Sequence, residues 1–272
     1  MKNPFDITGQ VVVVTGAAGV LAGQTTRHLA ENGAIVALLD INKEKLDARV
    51  DEFRKDGLNV SGFVSNVLDE AILEKTRDEI LSRFGKVDVL INGAGGNMPG
   101  ATIPPDKTVF DLKIADWDKV LALNLKGTLL PSIVFAKAML QNPGKCSIVN
   151  FSSMAATRMI TRVLGYSNAK GAIDNLTRWL AMEFARVHGD KIRVNAVAPG
   201  WFIGDQNRAL LTNPDGSLTE RAHKVINNTP MGRFGEANEV PGTIHYLISP
   251  AANFVTGQIV AIDGGFSIFS GV

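Results

Sequence analysis

Short, continuous apolar runs alternate along the chain with longer segments whose apolar positions recur at helical spacing. The runs at 11–14, 34–39, 87–91, 147–151, 192–196 and 258–262 read as strands, with 59–64 a weaker seventh. They are continuous rather than alternating in polarity, as expected of parallel strands covered on both faces. Helical patterns occupy 20–32, 43–56, 69–84, 116–140, 165–188 and 236–249. Asp69 and Asp116 are expected N-caps, and Gly57, Gly85 and Gly189 expected stops. This alternation predicts an α/β fold, a doubly wound parallel sheet of seven strands with helices on both faces and right-handed crossovers. The segment 201–230 breaks the rhythm just after a strand end, where such sheets bind ligands, and reads as a substrate lid.

With 272 residues, 45% of them hydrophobic, and no composition shift or Pro/Ser-rich linker, the chain reads as one domain over 1–272. A net charge of +1 with interspersed signs gives no reason to expect nucleic acid or a membrane surface as partner. No apolar stretch approaches the roughly 20 residues that cross a bilayer, and the N-terminus lacks signal-peptide character. A cytoplasmic protein is expected. The single cysteine, Cys146, opens an apolar run and reads as a buried structural thiol. The four histidines, His28, His188, His223 and His245, are scattered without ligand spacing, so no metal is expected. His223, in the presumed lid, is the one histidine placed for substrate contact.

The sharpest chemical signal is Tyr166 and Lys170, four residues apart, with Ser153 thirteen residues before the tyrosine. Positions i and i+4 share a helix face, so a phenol and an ammonium point into one space. The positive charge is expected to lower the tyrosine pKa. A hydroxyl from another element would hold a substrate oxygen against the phenol. Such a set suits proton transfer to and from an alcohol or carbonyl.

The first strand runs into a turn of small residues, Thr15-Gly-Ala-Ala-Gly-Val-Leu-Ala-Gly23, and then a helix. Gly16 and Gly19 let the backbone approach a pyrophosphate at a helix N-terminus. Asp40 ends the second strand seventeen residues after Gly23, placed to accept from an adenosine ribose and to repel a 2′-phosphate. That favours NAD over NADP. The fourth strand ends in Asn92-Gly93-Ala94-Gly95-Gly96. Asn92 there ties strand ends together, and the glycines either make room or also pass close to the cofactor.

Taken together, Thr15-Gly16, Asp40, Asn92 to Gly95, Asn124, Ser153, Tyr166 with Lys170, Pro199-Gly200 and Asp263-Gly-Gly265 resemble the short-chain dehydrogenase/reductase family over essentially the whole chain. The resemblance implies a Rossmann-type sheet, with Tyr166 as acid/base and Ser153 holding the reacting oxygen. It also implies that Lys170 lowers the tyrosine pKa and binds the nicotinamide ribose, and that Asn124 holds a water in a proton relay. Cofactor contacts are implied at Val20, Leu21, Ile41, Asn66, Val67, Pro199, Gly200 and Phe202. The chain departs from the family pattern at Val20 and Ala22, where glycines are usual, and at Asn66, where Asp is frequent. It departs again at Gly204, where Thr is frequent; Gln206 would substitute.

Pro199-Gly-Trp-Phe202, Gln206 to Leu211, Thr229 to Gly235 and the ending Asp263 to Val272, with Gly93 to Asn97, Gly127 to Pro131 and Gly19-Val-Leu21, resemble a subgroup of that family described as D-mannonate oxidoreductases, which interconvert D-mannonate and D-fructuronate. A sugar acid carries a carboxylate whose natural partner is a bidentate arginine. Arg158, Arg162 and Arg208 are the candidates, with Asn97 for a hydroxyl. The long apolar helix at 165–188 and the apolar C-terminus fit the family's homotetramer. The alternatives are the same chemistry on a gluconate-type polyol acid or a 3-oxoacyl thioester, and a non-catalytic dinucleotide sensor.

Overall fold

The computed structural model describes residues 3–204 and 207–271. Seven parallel strands, β1 (Val11–Thr15), β2 (Ile35–Asp40), β3 (Val60–Val64), β4 (Val89–Asn92), β5 (Cys146–Phe151), β6 (Ile192–Pro199) and β7 (Ile259–Ile262), form one sheet in the order β3-β2-β1-β4-β5-β6-β7. Helices α1 (Val20–Glu31), α2 (Lys43–Lys55), α3 (Glu70–Phe84), α4 (Ile114–Leu121), α5 (Gly127–Met139) and α6 (Leu164–His188) connect the first six strands. Helices α7 (Arg208–Leu211), α8 (Glu220–Asn227) and α9 (Pro241–Ile248) lie between β6 and β7.

Alternate residues of each strand face opposite sides of the sheet. Val12, Val14, Val36 and Leu38 join Leu29 of α1, Phe53 of α2 and Leu247 of α9 in one core. Val11, Val13, Ala37 and Leu39 join Ile80 of α3, Phe135 of α5 and Leu180 of α6 in the other. Two-sided cover holds fully for β1, β4, β5 and β6. The edge strands differ from expectation: β3 exposes Val64, and no residue of β7 is fully buried. Cover thins where the sheet ends.

Helix boundaries follow local chemistry. Asp69 caps α3 by accepting from Ile72 N–H at 3.1 Å, and Gly85 ends it in the left-handed conformation. Asp116 is not an N-cap. Lys113 holds that position, because a short turn capped by Thr108 and Asp111 feeds the helix early; Asp116 instead pairs with Lys119 at 3.0 Å. The last helix begins at Pro241, later than the pattern implied, since proline favours the first helical position.

The expected helix at 116–140 is α4 and α5 joined through a π-helical segment, Ala122–Lys126. Contrary to the sequence expectation, the whole run Ile114–Met139 is long and apolar enough to cross a membrane by length and composition. Half of that apolar stretch is buried inside the protein, where Phe135 and Met139 are core residues. Cys146 is likewise buried, and burial pushes its thiol up to about 11, out of the range of a nucleophile at neutral pH.

Candidate active site

The strand order reverses between β1 and β4, and doubly wound sheets bind ligands beyond the carboxyl ends of the strands at such a point. A cleft of about 560 Å³ opens there. Every residue expected to contact a cofactor lines it, from Gly16 and Gly19 through Asp40 and Asn66 to Phe202, with the single exception of Asn92. Asn92 is buried and points sideways instead, donating to Ser132 Oγ at 2.9 Å and Asn150 Oδ1 at 2.8 Å. It ties β4 to β5 and α5.

At one end the turn after β1 crosses the turn after β4. Gly16 has φ 65°, and a Cβ on it would lie 2.7 Å from the Ala94 Cα. Thr15 Oγ1 clamps the crossing by accepting from Gly93 N–H and Ala94 N–H, each at 3.1 Å. The N-terminus of α1 has no side-chain cap and no acidic residue in its first turn, so its orphan N–H groups face the cleft mouth at Gly19 and Val20. That is the arrangement that accepts phosphate. Gly19 N–H closes on Gly16 O at 3.0 Å, which is how the turn is completed without the usual later glycines. Asp40 accepts from Ala18 N–H at 3.1 Å and Asn42 N–H at 2.9 Å, holding its carboxylate against the same turn. Asn66 keeps its side-chain carbonyl oxygen on Leu68 N–H at 3.0 Å and lines the cleft beside Val67.

At the other end Ser153, Tyr166 and Lys170 converge. The Tyr166 and Ser153 hydroxyls are hydrogen-bonded, and Ser153 Oγ also accepts from Ala155 N–H at 3.2 Å. Lys170 Nζ lies 5.4 Å from the Tyr166 ring centroid and donates to Phe151 O at 2.7 Å. Ser152 Oγ donates to the buried carboxyl of Asp174, one turn beyond Lys170. Asn150 Nδ2 donates to Thr177 Oγ1 at 2.9 Å. Four successive residues of β5 and its end are thus joined to one face of α6.

The electrostatics differ from expectation in one respect. Burial, opposed only by the Ser153 hydrogen bond, raises the Tyr166 pKa above its ordinary value. Lys170 is not among the causes of the Tyr166 shift; burial pulls its own pKa down to about 8, with Asp174 drawing it upward. The four-residue spacing placed the two groups correctly and said nothing of the burial that disfavours the charged form of each.

Asn124 is fully buried in the π-helical segment. Its Nδ2 donates to Gly96 O at 2.7 Å and Val120 O at 2.8 Å, and its Oδ1 accepts from Gly96 N–H at 3.0 Å. A Cβ on Gly95 would lie 2.7 Å from Asn124 Oδ1 and 3.5 Å from Lys170 Nζ, so the glycine backbone runs between the two side chains.

Four expected substrate residues, Asn97, Arg158, Arg162 and Arg208, do not line the cleft; Arg162 borders a separate cavity of about 390 Å³. Asn97 donates to Thr102 Oγ1 at 2.7 Å, leaving its buried Oδ1 without a partner. Arg158 is exposed and its Nε donates to Ser267 O, and Arg208 is exposed at the start of α7. Gln206 lies outside the described residues. His223 is exposed on α8. Among the described residues no group of three or more His, Cys, Asp or Glu could hold a metal ion. Sequence reading missed Asp174 and Ser152. The only trace of the acid was its i+4 spacing from Lys170.

Residues 16–267 match the family described as enoyl-(acyl carrier protein) reductase. The chain is 42% identical to a Haemophilus influenzae protein described as an uncharacterized oxidoreductase, over 98% of this chain and 96% of that one. It is 34% identical to the 3-oxoacyl-[acyl-carrier-protein] reductase of Thermotoga maritima, over 96% of this chain and 99% of that one. A crystal structure from Haemophilus influenza, provisionally designated a D-mannonate oxidoreductase and containing bound NAD, superposes with a TM-score of 0.91 at 41% identity, covering 98% of both chains. Fold, cleft and sequence agree, and the chain belongs to the short-chain dehydrogenase/reductase family of oxidoreductases.

Proposed function

We propose that the protein is an NAD-dependent oxidoreductase that interconverts a secondary alcohol and a ketone of a sugar acid, with D-mannonate and D-fructuronate as its pair. The observation that carries the reading is the convergence of Tyr166, Ser153 and Lys170 at one end of a cleft whose other end is a phosphate-accepting turn. The cleft fits a dinucleotide: Gly16 and Gly95 leave no room for side chains, the α1 N-terminus is open, and Asp40 stands at the adenosine end. The Asp40 carboxylate supports NAD over NADP by repelling a 2′-phosphate. When bound, the nicotinamide accepts or returns the hydride and, once oxidised, adds positive charge beside the phenol.

Tyr166 takes the alcohol proton in oxidation and returns it in reduction. Ser153 orients the reacting oxygen against Tyr166 and polarises the carbonyl. Lys170 holds the ribose, and the positive charge that favours the ionised phenol would come from the oxidised nicotinamide when bound. Asn124 fixes the Gly95–Gly96 backbone on which the nicotinamide end rests, and serves the proton relay from Lys170. The segment 201–230, carrying α7 and α8, closes over the substrate. A homotetramer in the cytoplasm is part of the reading, supported by the exposed Trp179 and Met182 on α6.

The 42% identity to a protein described only as an oxidoreductase leaves the substrate to experiment. NADH consumption across keto-uronates, ketogluconates and 3-oxoacyl thioesters tests the assignment. D-fructuronate is expected to give the highest kcat/KM. A preference for a thioester overturns the substrate assignment, and no turnover on any ketone overturns the enzymatic reading.

A further inference from the structure

Arg162 and Arg221 come together although they stand 59 positions apart in the sequence. Arg162 ends the loop between Ser153 and Tyr166, four residues before the phenol, a chain distance of at most about 14 Å. It has φ 79°, a value no other non-glycine residue among those described shares in sign. That conformation is costly for a side-chain-bearing residue and persists only where the surroundings fix it. Here Arg162 Nε donates to Ile103 O at 2.9 Å, and Arg162 O accepts from Ile103 N–H at 2.9 Å.

Arg221 reaches the same loop from α8. Its guanidinium makes only long contacts there, 3.3 Å to Thr161 Oγ1 and 3.4 Å to Thr161 O. It lies over the Trp201 ring, 5.8 Å from the centroid. Trp201 sits between Gly200 and Phe202, both of which line the catalytic cleft, and its buried indole N–H has no hydrogen-bond partner. Burial, and then the charge of Arg162, pull the Arg221 pKa below the ordinary arginine value.

Arg27, Arg49, Arg77, Arg186 and Arg233 each pair with a carboxylate, whereas Arg54, Arg83, Arg158, Arg178, Arg193 and Arg208 form no salt bridge among the described residues. Among the described residues no carboxylate forms a salt bridge with Arg162 or Arg221. The cluster contains two guanidinium forks and an orphan indole donor; Arg162 borders a second cavity of about 390 Å³ together with Ser167, the residue after Tyr166, and Trp201 is flanked in sequence by residues of the catalytic cleft. Like charges brought together, with no counter-ion among the described residues, are held at a cost, which an anion between them relieves. A guanidinium fork matches a carboxylate in two parallel hydrogen bonds.

We propose that Arg162 and Arg221, gathered across Thr161 beside Trp201, form the subsite that reads the carboxylate of the substrate. This inference rests on the sugar-acid reading above and replaces Arg158 and Arg208 in it. Because Arg221 rides on α8, carboxylate binding couples that helix to the loop between Ser153 and Tyr166.

The test uses Arg221→Gln, since that side chain makes only long contacts and its loss leaves the Arg162–Ile103 pairing in place. KM is measured with D-fructuronate and with its neutral counterpart D-fructose, and NADH affinity by fluorescence. The expected result is a KM for D-fructuronate raised about 10- to 100-fold. KM for D-fructose and the Kd for NADH should change less than about threefold. Equal losses on both ketones, or no loss on D-fructuronate, overturn the proposal. Should the wild type turn over no sugar acid, calorimetry of D-mannonate binding to the NADH-loaded wild type and variant decides the subsite separately. Binding weakened in the variant keeps the subsite while the substrate assignment falls. Absence of carboxylate binding to the wild type, or equal affinity in both, removes the subsite.

Discussion

The carboxyl group of Asp174 accepts from the Ser152 hydroxyl one helical turn beyond Lys170, placing a buried acid on the same face of α6 as the buried ammonium. Burial raises the Asp174 pKa, while Ser152, Arg178 and Lys170 each pull it back. In return Asp174 is the group that keeps the Lys170 pKa from falling below about 8. Asp174→Asn removes that support, so the ammonium is lost at a lower pH. The basic limb of the kcat/KM profile should move toward acid, with activity at pH 7 reduced several-fold. An unshifted limb would show that the two groups are not coupled.

Tyr166→Phe removes the proton donor and acceptor but keeps the ring beside Lys170. The expected loss in kcat is about 10²- to 10⁴-fold, with NADH affinity unchanged. Ser153→Ala should lower kcat by about 10²- to 10³-fold. Steady-state rates with fluorescence titration of NADH check both, and near-wild-type turnover in Tyr166→Phe would refute its role.

Gly16→Ala places a methyl group 2.7 Å from the Ala94 Cα in a left-handed backbone conformation. The two turns must separate, so NADH binding should weaken by at least an order of magnitude and the melting temperature should fall. Binding at wild-type strength, seen by calorimetry, would show that the crossing has slack.

Asn124→Ala deletes three hydrogen bonds, two to Gly96 and one to Val120 O. Each buried group left unpaired costs about 1–3 kcal/mol. A variant that lost less than 1 kcal/mol in urea unfolding would place the support of the Gly95–Gly96 turn elsewhere.

His28 Nε2 and His245 Nδ1 are 3.1 Å apart, and His245 Nε2 meets Phe5 O at 2.7 Å. Burial and then the neighbouring imidazole lower the His28 pKa, while Glu31 raises it. The unfolded chain therefore binds the proton more readily. Stability from this pair is fully present above about pH 6.5 and is lost as pH falls through the lower folded value. Urea unfolding between pH 5 and 8 should show a steeper acid loss in the wild type than in His28→Gln. Parallel curves would assign the slope to other groups.

The strands were legible because each is an apolar run bounded by turn residues, and Asp40 and the Tyr166–Lys170 pair because their positions follow from period alone. What was not legible depends on contacts across the chain. Asp116 failed as a cap because Thr108 and Asp111 start the helix early. The Tyr166 pKa runs opposite to expectation because spacing encodes proximity and not burial. Arg221 gives no local signal, since it acquires meaning only when α8 brings it to Thr161, sixty residues earlier in the chain. Arg158 looked better placed in sequence, yet its Nε is engaged by the Ser267 carbonyl oxygen.

The residue-by-residue joining of β5 and its end to α6 works as a gauge. Inserting or deleting one residue in that stretch of helix would turn everything beyond it by about 100°. Thr177 and Asp174 would then swing away from Asn150 and Ser152 while Tyr166 stayed, or the reverse. Length is therefore frozen here, whereas the connections before Ile114 and after Gly200 carry no such residue-by-residue pairing of strand to helix. New substrates can be accommodated by lengthening those connections without retuning the proton-transfer machinery.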